Sequence, residues 1–305
     1  CGQHQRYANF ESNVKWSSIM FLLNQAENVL RLTWQDEIIM DYNFPLDGHR
    51  PYWHPLRLPD SPVLTMNQPE DHIHHQGMWI AWKMVNGVNF WEQPAPDTDP
   101  IGYGRIVHQR IKDQSFDQNG ASFTTENFWT DWVGIKHLSE TRRTFVHPPN
   151  PNNLVIDISF DFQSNDQDVT FDLKRGNPGS GGLFYSGLTI RFDNILTPGK
   201  ILDANGRTDT DKIFGNQSKW CGLTGIHPED NQVYGATIID ASSNLRHPTT
   251  WWVRNTKNYG LLHPSPTYYE SIILRRDEVL KFKYRVILHR GDINTALVNT
   301  ISQNY

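Results

Sequence analysis

The chain has 305 residues, 28 Lys+Arg against 33 Asp+Glu, and a formal net charge of −5 with 13 histidines counted neutral. That length buries roughly three quarters of the unfolded surface and accommodates one large domain or two ordinary ones. The slight acid excess argues against a general nucleic-acid binder, which carries a basic face, and no apolar run approaches the ~20 residues of a membrane-spanning helix.

The sequence opens on Cys1, followed by the small polar stretch Gly2-Gln3-His4-Gln5. A mature bacterial lipoprotein begins this way once its signal peptide is removed, and several lipid chains on one cysteine anchor firmly. The expectation is a lipid-anchored tether over residues 1–15 and a single catalytic domain over 16–305, placed in the cell envelope at the outer membrane or in the periplasm. The only other cysteine is Cys221. Two cysteines make one bridge at most, and neither a disulfide framework nor a Cys-based zinc site.

Downstream the chain reads as strands. Apolar and β-branched runs recur at Ile19–Leu23, Val29–Trp34, Ile38–Phe44, Phe123–Trp132, Val155–Phe162, Leu183–Phe192, Tyr234–Ile239, Trp251–Val253, Ile272–Leu274 and Val279–Leu288. Strict alternation marks Val155–Phe162 and Leu280–Val286 as half-buried strands. Turn chemistry separates the runs at Asp47-Gly48, Asn119-Gly120, Pro148–Pro151 and Asn205-Gly206. A helix is expected only at the tail, over Ile293–Ile301 with Asp292 as its cap. No fixed-period repeat or low-complexity linker divides the chain, so the expected fold is all-β: one large antiparallel sandwich with a short C-terminal helix.

The densest group of reactive side chains is Asp71-His72-Ile73-His74-His75-Gln76-Gly77. If this stretch is extended, His72 and His74 point to one side and His75 to the other, and three imidazoles in four residues supply metal ligands, a general base or both. The pair His72/His74 suits zinc, and carboxylates elsewhere would suit calcium, so a divalent metal is an open expectation. Upstream, Gly48-His49-Arg50-Pro51-Tyr52-Trp53-His54 adds two histidines, an arginine and two rings. Downstream, Val85–Trp91 closes a turn on an aromatic pair. The 11 tryptophans fill a core for the most part, but flat apolar faces also stack on pyranose rings. In Trp132–Arg143 the alternation sets Lys136, Leu138, Glu140 and Arg142 on one face. Arg142 is thus either half of an ion pair with Glu140 or a binder of a carboxylate or sulfate, and Arg191 poses the same choice. His247 and His263 are further candidates, whereas His4, His147 and His289 read as structural or surface residues. No nucleophile elbow, Walker loop or dinucleotide fingerprint is present, which leaves acyl transfer on that elbow, phosphoryl transfer and nicotinamide chemistry without support.

These segments resemble a bacterial family of polysaccharide-associated proteins that carries a methane oxygenase-like label, one member of which is an ulvan oligosaccharide dehydratase. The resemblance rests on Arg50-Pro51-Tyr52 with His54-Pro55-Leu56, Asp71-His72 with His74-His75 and Gly77, and Val85-Asn86-Gly87 with Phe90-Trp91. It continues through Gly134, Glu140, Arg142, Gly187, Arg191, Asn244, Arg246-His247-Pro248 and Trp251, so it spans roughly residues 28 to 292. It implies a sandwich similar to the mutarotase-like supersandwich. The activity implied is a lyase that removes water from a non-reducing-end glucuronate or iduronate of ulvan-type oligosaccharides, leaving a 4,5-unsaturated uronate. An oxygenase of methane belongs to an integral membrane complex, and that label does not suit a chain without a span.

Such a dehydration needs a cation at the carboxylate, a base at C5 and an acid at the leaving oxygen. His74 and His75 are the candidates for base and acid, with Tyr103 as a further proton-transfer group. Arg142, Arg191, His54, His247 and Trp251 are the candidates for holding an acidic oligosaccharide, and no obligate protein partner is expected. Two other readings stay open: a glycoside hydrolase, which would need a carboxyl pair drawn from Glu126, Asp131 and Glu140, and a non-catalytic glycan-binding lipoprotein.

Overall fold

The structure is a computed structural model that describes residues 20–95, 97–164, 166–172, 185–303 and 305. Cys1 and the expected tether lie outside these residues, while Cys221 is buried with a free thiol. In chain order the strands are β1 (Phe21–Ala26), β2 (Val29–Trp34), β3 (Glu37–Asn43), β4 (Tyr52–Leu56), β5 (Met78–Trp82), β6 (Met84–Val85) and β7 (Gly104–Asp117). There follow β8 (Gly120–Asp131), β9 (Lys136–Val146), β10 (Asn153–Gln163), β11 (Val169–Asp172), β12 (Ser186–Phe192), β13 (Lys200–Asp203) and β14 (Trp220–Ile226). The last are β15 (Val233–Asp240), β16 (Trp251–Thr256), β17 (Tyr259–Pro264), β18 (Ile272–Leu274) and β19 (Val279–Arg290).

They form two eight-stranded sheets, β1-β2-β3-β4-β5-β12-β17-β16 and β13-β14-β15-β19-β10-β9-β8-β7, and a small sheet β18-β11-β6. Every pairing between the strands is antiparallel. The fold is the expected large β-sandwich. In β10 every second residue is buried, Leu154 through Phe162, as the alternation predicts for a strand with one solvated face. The core between the sheets takes Trp53, Trp82 and Trp129 with Phe160, Phe162 and Phe282.

A one-turn helix, α1 (Thr210–Ile213), not expected from the sequence, follows β13. The tail forms the expected helix, α2 (Thr295–Ser302), but Asn294 rather than Asp292 caps it, its Oδ1 accepting from the Leu297 N–H at 3.0 Å. Asp292 instead pairs with Lys200 at 2.8 Å. The helix buries Val298 against Trp220, Ile239 and Ile287 on the outer face of the second sheet. Among the described residues no helix is long and apolar enough to cross a membrane.

The first sheet differs in one respect that matters for function. Its central strands β5 and β12 are buried at every residue, on both faces. Met78, Ile80 and Trp82 point into the core, while Trp79 and Ala81 join Trp91, Trp252, Leu261 and Tyr268 in a separate cluster on the opposite face. Tyr52, Tyr185, Phe214 and Tyr259 pack against that cluster. This outer aromatic face is where the histidine loop sits.

Candidate functional site

The histidine segment is not extended. His72 N–H donates to Pro69 O and His75 N–H to His72 O, both at 2.9 Å, so residues 69–75 make two consecutive turns. The second turn brings residues 72 and 75 together, and their rings stack at 4.5 Å and 18°. The expected split of His72 and His74 from His75 therefore gives way to a cluster in which all three rings touch, His74 meeting both others edge-on at 5.6 and 4.6 Å. Gly77 anchors the loop. Its N–H donates to Met66 O and its carbonyl accepts from Arg191 N–H, each at 2.8 Å. At φ +62°, a Cβ there would lie 2.3 Å from Trp53 O, so only glycine fits.

Four near-parallel rings gather in the site. Trp79 stacks on His75 at 5.2 Å, and His75, His72 and Tyr259 form a triangle with ring centres 4.5, 5.1 and 6.0 Å apart. One buried guanidinium stands against Trp79 and another against Tyr259. Arg50 lies 5.8 Å from the Trp79 ring centre and donates through Nη2 to Trp91 O. Arg191 lies 4.0 Å from the Tyr259 ring centre and donates through Nη2 to Asn194 Oδ1 at 3.1 Å and Asn258 O at 3.0 Å. Its nearest acid is the half-exposed Asp71, at 3.5 Å.

Neither guanidinium is satisfied. Nε and Nη1 of Arg50 and Nε and Nη1 of Arg191 are buried without a hydrogen-bond partner, as are Nδ1 of His75, Nε1 of Trp79, Oγ1 of Thr189 and Nδ1 of His263. Buried polar groups are paired in the great majority of cases, and each exception calls for a cause. His263 Nε2 lies against both the N–H and the carbonyl of Ser186. Five of these eight orphaned groups, the four guanidinium nitrogens and the Trp79 indole nitrogen, can only donate. That is the signature of a place for an anion.

Electrostatics agree with the geometry. Burial, then the nearby Arg50, pushes His74 down to about 3, against the opposing pull of Glu92. Burial and the neighbouring imidazoles push His75 lower still, with Arg191 and Arg50 both contributing. Both imidazoles are neutral at pH 7 and hold a lone pair for a proton. Burial takes Arg50 down to about 9 against the pull of Glu92, and His263 to about 3 against its hydrogen bond with Ser186. Burial, with Tyr185 and Asp71, raises the Tyr259 phenol to about 12 against Arg191 and Arg254. Beside His74, Lys83 donates to Glu92, which also accepts from Asn89 Nδ2 at 2.7 Å. Burial works to raise the Glu92 carboxyl, but Lys83 holds it below the usual carboxylate range. This carboxylate is fixed in its charged form.

The structure brings His72, His74, His75 and Arg191 together and separates the other predicted residues from them. Arg142 is in the core between the sheets. Its Nε donates to Glu140 Oε1 at 2.6 Å, and Tyr42, Trp53 and Phe160 surround it. Glu140 also accepts from Trp129 Nε1 at 2.7 Å, so the ion-pair reading of that strand is the correct one and Arg142 meets no solvent. Trp251 likewise faces the core, its Nε1 donating to Ser218 O at 2.8 Å. His247 is held by Asp240 at 2.8 Å in a turn after β15, with no contact to the histidine loop among the described residues. His54 Nδ1 lies 2.9 Å from Thr65 Oγ1, and among the described residues its ring makes no contact with the ring cluster. Tyr103 pairs through its backbone with Asn89, and among the described residues its phenol has no contact with the histidines. Among those residues no group of three or more His, Cys, Asp or Glu is placed to hold a metal ion. His72 Nδ1 instead lies 2.9 Å from Asp71 Oδ2.

Sequence reasoning assigned no role to Arg50, Lys83, Trp79, Glu92 or Tyr259. Two signals were available: Arg50 heads the Arg50-Pro51-Tyr52 motif, and Trp79 alternates with the core residues Met78 and Ile80. Surface cavities elsewhere, of about 430 Å³ beside Phe44 and His108 and about 360 Å³ beside His289, hold no comparable set of unpaired donors.

Fold and site together define a β-sandwich protein with a cationic, aromatic-lined face on one sheet. The chain belongs to the family of unknown function DUF6807, whose model matches residues 29–303. A search of curated proteins finds no match. Among solved structures the chain is similar to a putative kojibiose phosphorylase from the human microbiome, at 10% identity and a TM-score of 0.33. That alignment covers 74% of this chain and 25% of the other, so the chain spans about a quarter of that protein's length.

Proposed function

We propose that this protein is a carbohydrate-active carbon–oxygen lyase that removes water from a uronate at the end of an acidic oligosaccharide of the ulvan type. The observation that carries the reading is the pair of buried guanidiniums, each with two unpartnered donors, flanking a ring cluster that contains neutral imidazoles. A uronate carboxylate supplies the missing acceptors, and the aromatic rings supply a floor for the sugar.

In the reaction, the base takes the C5 proton, the C5–H electron pair becomes the C4=C5 double bond, and the C4–O bond breaks. The guanidinium at the carboxylate stabilises the enolate-like charge that develops during this step. His74, the more accessible of the two depressed imidazoles, is assigned the base. Tyr259, protonated throughout the neutral range and stacked on His72, is assigned the acid that turns the departing hydroxyl into water. Tyr259 thereby replaces Tyr103 in this role. The carboxylates of the face, Asp71 and Glu92, are both held below the ordinary carboxylate range. A glycoside hydrolase needs a carboxyl group with a raised value as its acid, so the lyase is the better fit.

The test is incubation with a panel of uronate-ended oligosaccharides, followed by mass spectrometry and ultraviolet absorbance. Loss of one water with a new enol-ether absorbance, abolished in His74→Ala, supports the lyase. A product that has gained water without unsaturation would make it a hydrolase. Tight binding of an unchanged ligand would make the protein a glycan-binding module.

A further inference from the structure

We infer that the same face holds a second anionic subsite, centred on Arg254, which takes an acidic substituent on the sugar next to the reacting one. This inference deepens the lyase reading and rests on it for the identity of the first sugar. Arg254 is exposed, and among the described residues it has no carboxylate or carbonyl partner, yet it is not loose. Its guanidinium lies 4.9 Å from the Trp252 ring centre and 5.6 Å from that of Phe214. A cation fixed between two rings and left without an anion is preorganised for one.

Its position follows from the sheet register. Arg191 of β12 pairs with Leu261 of β17, and Leu261 pairs with Arg254 of β16, so the two arginines lie in one row on the same face of the sheet with one strand between them. Two strand spacings put their backbones about 10 Å apart. Tyr259 lies in the field of both guanidiniums. Tyr185 meets Trp252 edge-on at 5.2 Å and stacks on Trp91 at 4.9 Å, and Trp91 meets Trp79, which extends the aromatic floor from the histidine cluster to Arg254. A chain of sugars lying along that row presents one residue to the imidazoles and its neighbour to Arg254. The ligand class is therefore an oligosaccharide with acidic groups on two successive sugars, the second being a carboxylate or a sulfate ester.

The experiment compares three disaccharides with the same terminal uronate, whose second sugar is neutral, carboxylated or sulfated. Binding is read by calorimetry and turnover by mass loss, on the wild-type protein and on Arg254→Gln. The wild type is expected to bind at least one acidic-neighbour disaccharide roughly tenfold more tightly than the neutral one, the size of one charge-assisted contact. Added salt should shrink that gap. The better of the two acidic ligands identifies the anion. Arg254→Gln removes the preference and leaves the neutral disaccharide at wild-type affinity. Equal affinity for all three in the wild type, or a preference that survives Arg254→Gln, overturns the subsite. Turnover without the preference removes the subsite and keeps the lyase; the preference without turnover removes the lyase and keeps the subsite.

Discussion

Replacing Arg50 by methionine removes a cation that the free protein holds at a loss. The side chain is 1% exposed, donates to a single backbone carbonyl and leaves two nitrogens unpartnered. Burial brings the guanidinium from its ordinary range down to about 9, a displacement worth about 5 kcal/mol against the charged form. Below that value the group is charged in both the folded and unfolded chains, so the whole penalty stands at neutral pH. It fades only as the pH rises through about 9. Methionine fills most of the same volume without charge. It loses the bond to Trp91 O and the contact with Trp79, which together return about 2–4 kcal/mol. The net expectation is a gain of roughly 1–3 kcal/mol in the free protein, seen as a Tm higher by several degrees. Turnover of a uronate oligosaccharide falls at least ~100-fold, as it does when a donor to developing negative charge is lost. The added ligand also raises the Tm of the variant less than that of the wild type. Thermal melts with and without ligand, beside a turnover assay, read all three quantities. A variant that melts lower and still turns over normally would mean that Arg50 is structural and its donors are satisfied.

Three more outcomes follow from the site and its supports. With His74 held near 3 by burial, Arg50, His72 and Lys83 against the pull of Glu92, the base stays deprotonated through mildly acid solution. Its contribution to kcat/KM should therefore stay level from about pH 8 down to about pH 5, where an unperturbed histidine would already have lost most activity. Gly77→Ala forces a Cβ to within 2.3 Å of Trp53 O at φ +62°. Chemical denaturation should show a loss of several kcal/mol, and ligand binding should weaken in whatever fraction folds. Glu140→Gln leaves the Arg142 cation buried without its carboxylate, a loss of about 3–5 kcal/mol in stability. Because Arg142 lies in the core, KM at low temperature should hold; a large rise in KM would put Arg142 back among the ligand contacts.

Much of this site was legible from residue parity, and the misses show where parity runs out. The sandwich followed from alternation, since β10 and β19 carry apolar residues at every second position and pair along their whole length. The cluster of His72, His74 and His75 was visible as chemistry but not as shape. Alternation describes a strand, whereas local bonds from His72 to Pro69 and from His75 to His72 fold this segment into turns. Pro69 and Gly77, which bracket it, were the signal that a strand reading passes over.

Arg142 and Arg191 looked equivalent because parity says which residues share a face without saying which face is the core. The neighbours on each face decide it. Arg142 shares its side of β9 with Leu138 and Glu140, an apolar group and a ready counter-ion, and that side is interior. Arg191 alternates with Leu188, Ile190 and Phe192, so the apolar set takes the core and the arginine must face away from it. The same rule applied to β16 sends Trp251 and Val253 inward and Trp252 with Arg254 outward. Sequence pattern had favoured Trp251, the residue that the core requires. The ring and cation left on the other face are the ones free to meet a ligand.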